Sequence, residues 1–349
     1  MHMADALLAP PVAGVMAVAS GAAAVYSISK VRKEDQSEKI PVMAVSAALI
    51  FAGQMINYTI PGTGSSGHLC GGMLLSALLG PEAGFLSMIV VLATQCLFFA
   101  DGGLMALGAN IWNMAFYGCF VGYYLLWRPI MRSSLFSNMG EKAGTRAKII
   151  LASLLGCVIT LQLGAFSVVL ETTLSGITEL PFGAFAGLMQ PIHLAIGIVE
   201  GLITAAVLVF VYETRPELIQ ALEPTETKAK FSLKQVLVCL SILALVTGGL
   251  FSLFASSNPD GLEWALFGNS EEGYAANMAL DEENFGISSS AADTASSIQE
   301  TTSFLPDYAF ADSDSAAGTS VSGIVGCAIV AGLALCISFA GRFFRKKAA

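Results

Sequence analysis

Charge is what this chain has least of. Only 12% of its 349 residues are Asp, Glu, Lys or Arg, against about 25% in soluble domains. With 55% hydrophobic residues, that shortage excludes an ordinary soluble enzyme. Histidine occurs three times, as His2, His68 and His193. No GxxxxGK[ST] phosphate loop occurs, so the chain is not expected to hydrolyse ATP itself. No nucleophile–base arrangement suggests intramembrane catalysis, and no resident cofactor is expected. The seven cysteines, Cys70, Cys96, Cys119, Cys157, Cys239, Cys327 and Cys336, fit no zinc or iron–sulfur spacing. They read as small apolar packing residues. A thiolate ligand is the alternative at Cys70, although a helix starting there points it to another face. No basic stretch precedes the first apolar run, so a cleavable signal peptide is not expected.

What is present in quantity is apolar sequence long enough to cross a bilayer as helices. Nine spans are read, at about 10–29, 40–60, 68–80, 83–100, 106–127, 149–171, 190–212, 233–255 and 320–341. The third is short for a full crossing, and is either tilted or starts in a re-entrant loop. The expected architecture is therefore an all-α polytopic membrane protein. All 17 Lys and Arg fall into four patches, at 30–39, 128–148, 215–234 and 342–347. Basic residues mark the cytoplasmic side. Nine spans with a cytoplasmic C-terminus and an external N-terminus put every patch inside. With the charges sorted by side, the net charge of −9 carries no signal for nucleic acid, and the expected surroundings are a lipid bilayer.

The chain divides into a seven-span unit over 1–212, a polar, proline-containing cytoplasmic linker over 213–231, and a two-span unit over 232–349. The last unit holds a loop over 256–319 with 12 acids and no base. Such a segment buries little apolar surface and is expected to be at least partly mobile. Two glycine-rich loops, 57–68 and 100–110, lie on the same expected face as Met1. Irregular backbone near a membrane survives only when packed in protein or lining a cavity.

The start Met1-His2-Met3-Ala4-Asp5 carries chemistry of its own. A free α-amine and the amide nitrogen of residue two close a five-membered ring on one metal ion. That amide nitrogen and imidazole Nδ1 close a six-membered ring. Three nitrogens in a plane favour Ni(II) or Cu(II), and His68, opening the third span on the same face, is the candidate for a fourth. The alternatives are a solvated terminal residue for His2 and a polar interfacial cap for His68.

Further candidates surround this set. Asp5 and Asp101 could hydrogen-bond and orient the ligand imidazoles, Asp5 being favoured for its nearness to His2; either could instead be a cap or turn residue. Asn110 and Asn113 share a helical face and could hold loops. His193 is read as an access-path residue beside the site or as a hydrogen-bonded helix histidine. Glu200, one heptad later, lies near the expected midplane, where an acid is costly; it is read as structural pairing or a coupling element. Ala9, Ala13, Ala17 and Gly21, at four-residue spacing, form a small-residue groove for another helix of this chain or of another subunit.

The start Met1–Leu8, the run Gly67-His68-Leu69-Cys70-Gly71-Gly72 followed by Leu79-Gly80-Pro81, and Phe99-Ala100-Asp101-Gly102-Gly103-Leu104 with Ala106–Asn110 together resemble the nickel/cobalt substrate-binding subunit of energy-coupling-factor transporters, the NikM/CbiM family. The resemblance covers about residues 1–212. Ser257-Asn258-Pro259-Asp260-Gly261-Leu262-Glu263 resembles the Pro-Asp-Gly-Leu-Glu signature of that subunit's small two-span partner, so the chain looks like a fusion of both. The resemblance implies a metal site of the Met1 amine, the His2 backbone nitrogen and imidazole, and His68. It also implies a membrane coupling (T) subunit and two ATPase subunits as partners, in the cell membrane of a prokaryote. Ala6 stands where glycine is common in the family. The leading reading is high-affinity Ni(II) or Co(II) binding at the extracytoplasmic face for uptake. The alternatives are a cation-coupled secondary transporter using Glu200 and His193, and a non-transporting metal sensor.

Overall fold

The computed structural model describes residues 1–33, 39–177, 179–222, 229–269, 285–310 and 315–348, with α12 side chains described to Cys336. Lys228, the centre of the acidic loop at 270–284 and the side chains of Arg342, Arg345, Lys346 and Lys347 lie outside that set. The described residues form a helical bundle with one two-stranded hairpin. Helices α1 (Pro10–Lys33) and α2 (Ile40–Gln54) lead into strands β1 (Tyr58–Ile60) and β2 (Ser65–Gly67), then α3 (Gly72–Leu79) and α4 (Pro81–Phe99). Helix α5 (Leu107–Ile111) runs on through a wider π-wound stretch, Trp112–Trp127, into α6 (Arg128–Met131). Two long helices, α7 (Glu141–Leu174) and α8 (Phe182–Thr214), pack against each other. The second unit supplies α9 (Leu233–Gly249), α10 (Gly261–Phe267), α11 (Ser290–Thr302) and α12 (Ala316–Ala348).

Six helices among the described residues are long and apolar enough to cross a membrane: α1, α4, α7, α8, the stretch Leu233–Phe254, and Ala316–Cys336 of α12. The other three expected spans are built differently. Helix α2 is apolar but has only 15 residues, the fifth is the segmented run from Leu107 to Met131, and the third is only the eight-residue α3. Before α3 the backbone at 68–71 is non-helical. Four such residues can reach up to about 13 Å, and α3 adds about 12 Å, so together they approach the roughly 30 Å of a hydrocarbon core. Gly71, at φ 86°, makes the turn into α3, and a Cβ there would stand 2.6 Å from the Ile50 side chain.

Proline at the first turns of α2 and α4 suits positions with no intrahelical acceptor to satisfy. Capping boxes open α9, through Ser232 and Gln235, and α10, through Asp260 and Glu263. The small-residue stripe of α1 is met on one side from within the chain: a Cβ on Gly108 would lie 2.5 Å from Ala17 Cα, and Ser20 Oγ donates to Gly108 O at 2.6 Å. Ala17 and Gly21 remain exposed on the stripe.

The helix directions collect residues 1–9, 57–71, 100–106, 255–269 and 303–310 at one end of the bundle. The described basic residues lie toward the other end, where Glu213 pairs with Lys142 at 3.1 Å and also with Arg146. The linker does not run free there. Gln220 N donates to Ala77 O at 2.7 Å, and Trp127 Nε1 donates to Gln220 O at 2.9 Å.

Described parts of the 256–319 loop also behave unlike a solvated acidic linker. They fold back over the first unit. Ser66 N donates to Pro259 O at 2.8 Å, Ser66 Oγ to Asn258 O at 2.7 Å, and Asn269 Nδ2 to Gly64 O at 2.7 Å. Leu262, Ala265 and Leu266 are buried. An apolar stripe on α10 outweighs the acidic composition of the loop around it.

Candidate metal site at one end of the bundle

The first five residues run as a buried strap, not as a loose terminus. Met1 is 5% and Met3 0% exposed. Asn110 clamps Met3 from both sides: its Oδ1 accepts the Met3 N–H at 2.7 Å, and its Nδ2 donates to Met3 O at 3.2 Å. Gly103 N donates to the same carbonyl at 2.9 Å. Asn113 Nδ2 bridges Glu171 Oε2 at 2.8 Å and Met3 Sδ at 3.6 Å. Gly103 must be glycine, because a Cβ there would stand 1.9 Å from Asp5 Oδ1. The strap therefore delivers the Met1 amine to a fixed point inside the protein.

At that point the amine nitrogen lies 3.3 Å from His68 Nε2. The His68 Nδ1–H donates to the carbonyl of Leu69 at 2.9 Å, which leaves the Nε2 lone pair facing the amine. The His2 ring stacks on the His68 ring, with centroids 5.2 Å apart. The His68 position is held from behind by Glu200. Its two carboxylate oxygens accept the Cys70 and Gly71 N–H groups at 2.8 and 2.9 Å, while Gln54 Nε2 donates to Cys70 O at 2.7 Å. Of the two roles considered for Glu200, these bonds are structural pairing. The non-helical backbone reaches down to the acid, which supplies acceptors that a membrane does not.

Around His2 the geometry is more demanding. Its Nδ1 lies 3.0 Å from Asp101 Oδ1, and Nε2 lies 3.3 Å from Gln95 Oε1. Nδ1 can give a proton to Asp101 or a lone pair to a metal, not both. A chelate through Nδ1 therefore gives up that bond. Asp5, favoured from sequence as the imidazole's partner, instead accepts the Ala106 N–H at 2.9 Å and fixes the loop after Gly103. Asp101 is the acid at the imidazole. It is held in turn by the Tyr308 hydroxyl, which donates to Oδ2 at 2.5 Å.

Asp260, the acid of the Pro-Asp-Gly-Leu-Glu signature, stands at the centre of this arrangement. Asp260 Oδ2 accepts from the Met1 ammonium at 2.6 Å, while its Oδ1 caps α10 by accepting the Leu262 and Glu263 N–H groups at 2.7 and 2.9 Å. The sequence signal was an acid beside Gly261 on the same expected face. Only the folding back of the second unit gives it a partner.

Charge and burial set the protonation here. Burial alone would lower the Met1 amine, but the contacting Asp260 carboxylate outweighs it, and the amine sits above its ordinary 8.0. Burial would raise Asp260, yet the ammonium and His68 hold it well below the usual carboxylate range. His68, in the loop before α3, is pushed down to about 3 by burial, then by the ammonium and by His2. His2 is lowered chiefly by burial, against the pull of Asp101. Both imidazoles are thus neutral donors at neutral pH.

His193 lies one layer deeper. Its Nδ1–H donates to Met189 O at 2.8 Å, and its Nε2 is buried without a hydrogen-bond partner. It lines a small cavity of about 10 Å³ together with Met1, His68 and Asp260. Among the described residues, no three His, Cys, Asp or Glu side chains gather closely enough to hold a metal.

Comparison with known proteins bears on both halves. Residues 2–218 match the family described as the cobalt uptake substrate-specific transmembrane region, CbiM. Residues 234–342 match the PDGLE domain. The chain is 34% identical over 344 residues to a fused nickel transport protein, NikMN, of Archaeoglobus fulgidus, covering 97% of this chain and 98% of that one. It is 32% identical over 223 residues to a fused nickel transport protein, LarMN, of Lactiplantibacillus plantarum, covering 62% of this chain and 66% of the relative. A crystal structure titled as a truncated transition metal transporter superposes with a TM-score of 0.51 at 31% identity, covering 61% of this chain and 99% of its own.

Proposed function

This chain belongs to the cobalt-uptake substrate-specific transmembrane (CbiM) family and carries a PDGLE domain behind that region, and from that premise we propose that it captures Ni(II) or Co(II) with high affinity at the extracytoplasmic face. It is a multi-pass membrane protein of the nickel and cobalt transport family, not an enzyme. The observation that carries the finer reading is the convergence of the Met1 amine on His68 Nε2, 3.3 Å apart, with the His2 ring stacked alongside.

In this reading the ion takes the Met1 amine, the His2 amide nitrogen, His2 Nδ1 and His68 Nε2. The stacked rings must turn so that His2 Nδ1 and His68 Nε2 face one ion. Asp101 releases Nδ1 and remains close as a counter-charge. A set of four nitrogens leans toward nickel, in keeping with the name of the Archaeoglobus relative, while the family description names cobalt. The family resemblance assigns the ATP-driven step to partners, a membrane coupling subunit and two ATPase subunits.

The test is acetylation of the Met1 amine. It removes one donor and opens the five-membered ring while leaving every side chain intact. Tight Ni(II) or Co(II) binding by the purified protein should be lost, with the metal-free fold retained by circular dichroism. Equal binding by the acetylated protein puts the site elsewhere.

A further inference from the structure

The two units of this chain meet at the proposed metal site through one carboxylate. Asp260 comes from the loop of the second unit, yet its Oδ2 lies 2.6 Å from the Met1 nitrogen of the first. Three features fix it there. Its Oδ1 is occupied by the Leu262 and Glu263 N–H groups, so only Oδ2 is free to face the amine. The backbone beside it is tied to the His68 loop through Ser66 N and Oγ. Asn269, beyond α10, is bonded to Gly64 O at 2.7 Å. A carboxylate bound to the fold on both sides does not leave when its partner changes.

Resting on the proposed chelate, we infer that Asp260 is the counter-charge of the metal site, balancing the terminal ammonium in the empty protein and the bound ion in the loaded one. In the empty site the ammonium faces the Asp260 carboxylate. On loading, the ammonium and the His2 amide each give up a proton to solvent as one divalent ion enters. The two positive charges of the ion then meet one negative charge on the amide nitrogen and the Asp260 carboxylate on the amine side, with Asp101 on the imidazole side. A buried site pays heavily for uncompensated charge, and Asp260 faces positive charge at the amine position in both states. The second unit is therefore a wall of the site, and the first unit alone would leave that side of the ion without its carboxylate.

The two states differ in how they tolerate loss of the carboxylate. A lone terminal ammonium becomes neutral by releasing one proton. A divalent ion held by four nitrogens stays charged. Neutralising Asp260 should therefore weaken the loaded state more than the empty one. Asp260→Asn keeps an oxygen for the α10 cap, since Asn and Asp serve equally well there. Asp260→Ser keeps the cap with a shorter side chain. Glu263→Gln removes one charge from the same helical turn but retains the capping-box acceptor.

The experiment is NiCl2 titration of the full-length protein in detergent against a chromophoric chelator, for these three variants and His68→Ala. Asp260→Asn and Asp260→Ser should each weaken Ni(II) binding about 10–100-fold, the range for groups that support metal ligands. Glu263→Gln should stay within about twofold of the parent. Binding by Asp260→Asn as tight as the parent, or tighter, overturns the inference, since Asp260 would then be neutral or a competitor. So does an equal loss in Glu263→Gln, which would assign the effect to the general field of the loop. If His68→Ala loses binding while Asp260→Asn does not, only this inference falls. If His68→Ala binds as the parent does, the chelate falls with it.

Discussion

The amine of Met1 does two things at once: it pairs with Asp260 and faces a lone pair on His68. Two predictions belong at this scale. His68→Ala should remove a donor and resemble His2→Ala in Ni(II) binding, whereas His193→Ala, one layer down and bonded to Met189 O, should lose no more than about 10–100-fold. Direct binding and uptake of labelled metal check this. If His193→Ala abolishes binding while His68→Ala is nearly silent, the site lies along α8. The second prediction concerns pH. The amine sits above 8.0 because of Asp260, so it is protonated at neutral pH and must lose that proton to bind. The amide loses another. Apparent affinity should therefore fall as pH falls, about tenfold per unit for each proton displaced. Because His68 is pushed down to about 3 by burial and its charged neighbours, the titration should run through pH 6.5 without the break that an ordinary imidazole would add.

Among the elements, the non-helical segment before α3 is the one on which the site depends. It brings His68 in at the depth of the Met1 amine, and it survives there because Glu200 accepts two of its N–H groups. Glu200→Ala should leave both donors buried without partners, at about 1–3 kcal/mol each. The expected outcome is a lower thermal midpoint of the metal-free protein together with weakened metal binding. An unchanged midpoint would falsify the structural role. Gly103→Ala tests the opposing element, because its Cβ would fall on Asp5 Oδ1. The strap should be displaced, with loss of Ni(II) binding in a protein that still inserts and folds. Much of this level was legible in sequence: the glycine-rich loops, their common face, and the short third span with a re-entrant loop as one of two readings. The role of Glu200 was not. A midplane acid and a loop at the interface look unrelated until the loop dips to meet it. Asp5 shows the same limit, since nearness in sequence to His2 says nothing about which N–H group a carboxylate caps.

Across the whole molecule, the second unit roofs the end of the bundle where the strap lies. Asp260 reaches the amine, Tyr308 reaches Asp101, and Gln299 Nε2 donates to Gly102 O at 2.7 Å. A roof of this kind should govern access. Thr59 Oγ1 and Ser256 Oγ stand 2.9 Å apart on exposed segments of the two units. The pair Thr59→Cys with Ser256→Cys should therefore form a disulfide on mild oxidation. The oxidised protein should load Ni(II) more slowly than its reduced form, and dithiothreitol should restore the rate. Equal loading rates in both redox states would mean that the roof does not lift.

The sequence by itself determined the class of this protein and the donors available to it. Hydropathy and the four basic patches are sums over many residues, so they survive without coordinates. A His at position two carries its chelate geometry in the covalent bonds of the first two residues. What only the tertiary structure decided are the pairings across long separations: Met1 with Asp260, 259 residues apart, and Cys70 with Glu200, 130 apart. Composition made the 256–319 loop look like a solvated acidic linker, because it averages over α10 and cannot register the few apolar side chains that dock. Once they dock, one carboxylate is carried into a buried site, where the low dielectric strengthens a single charge.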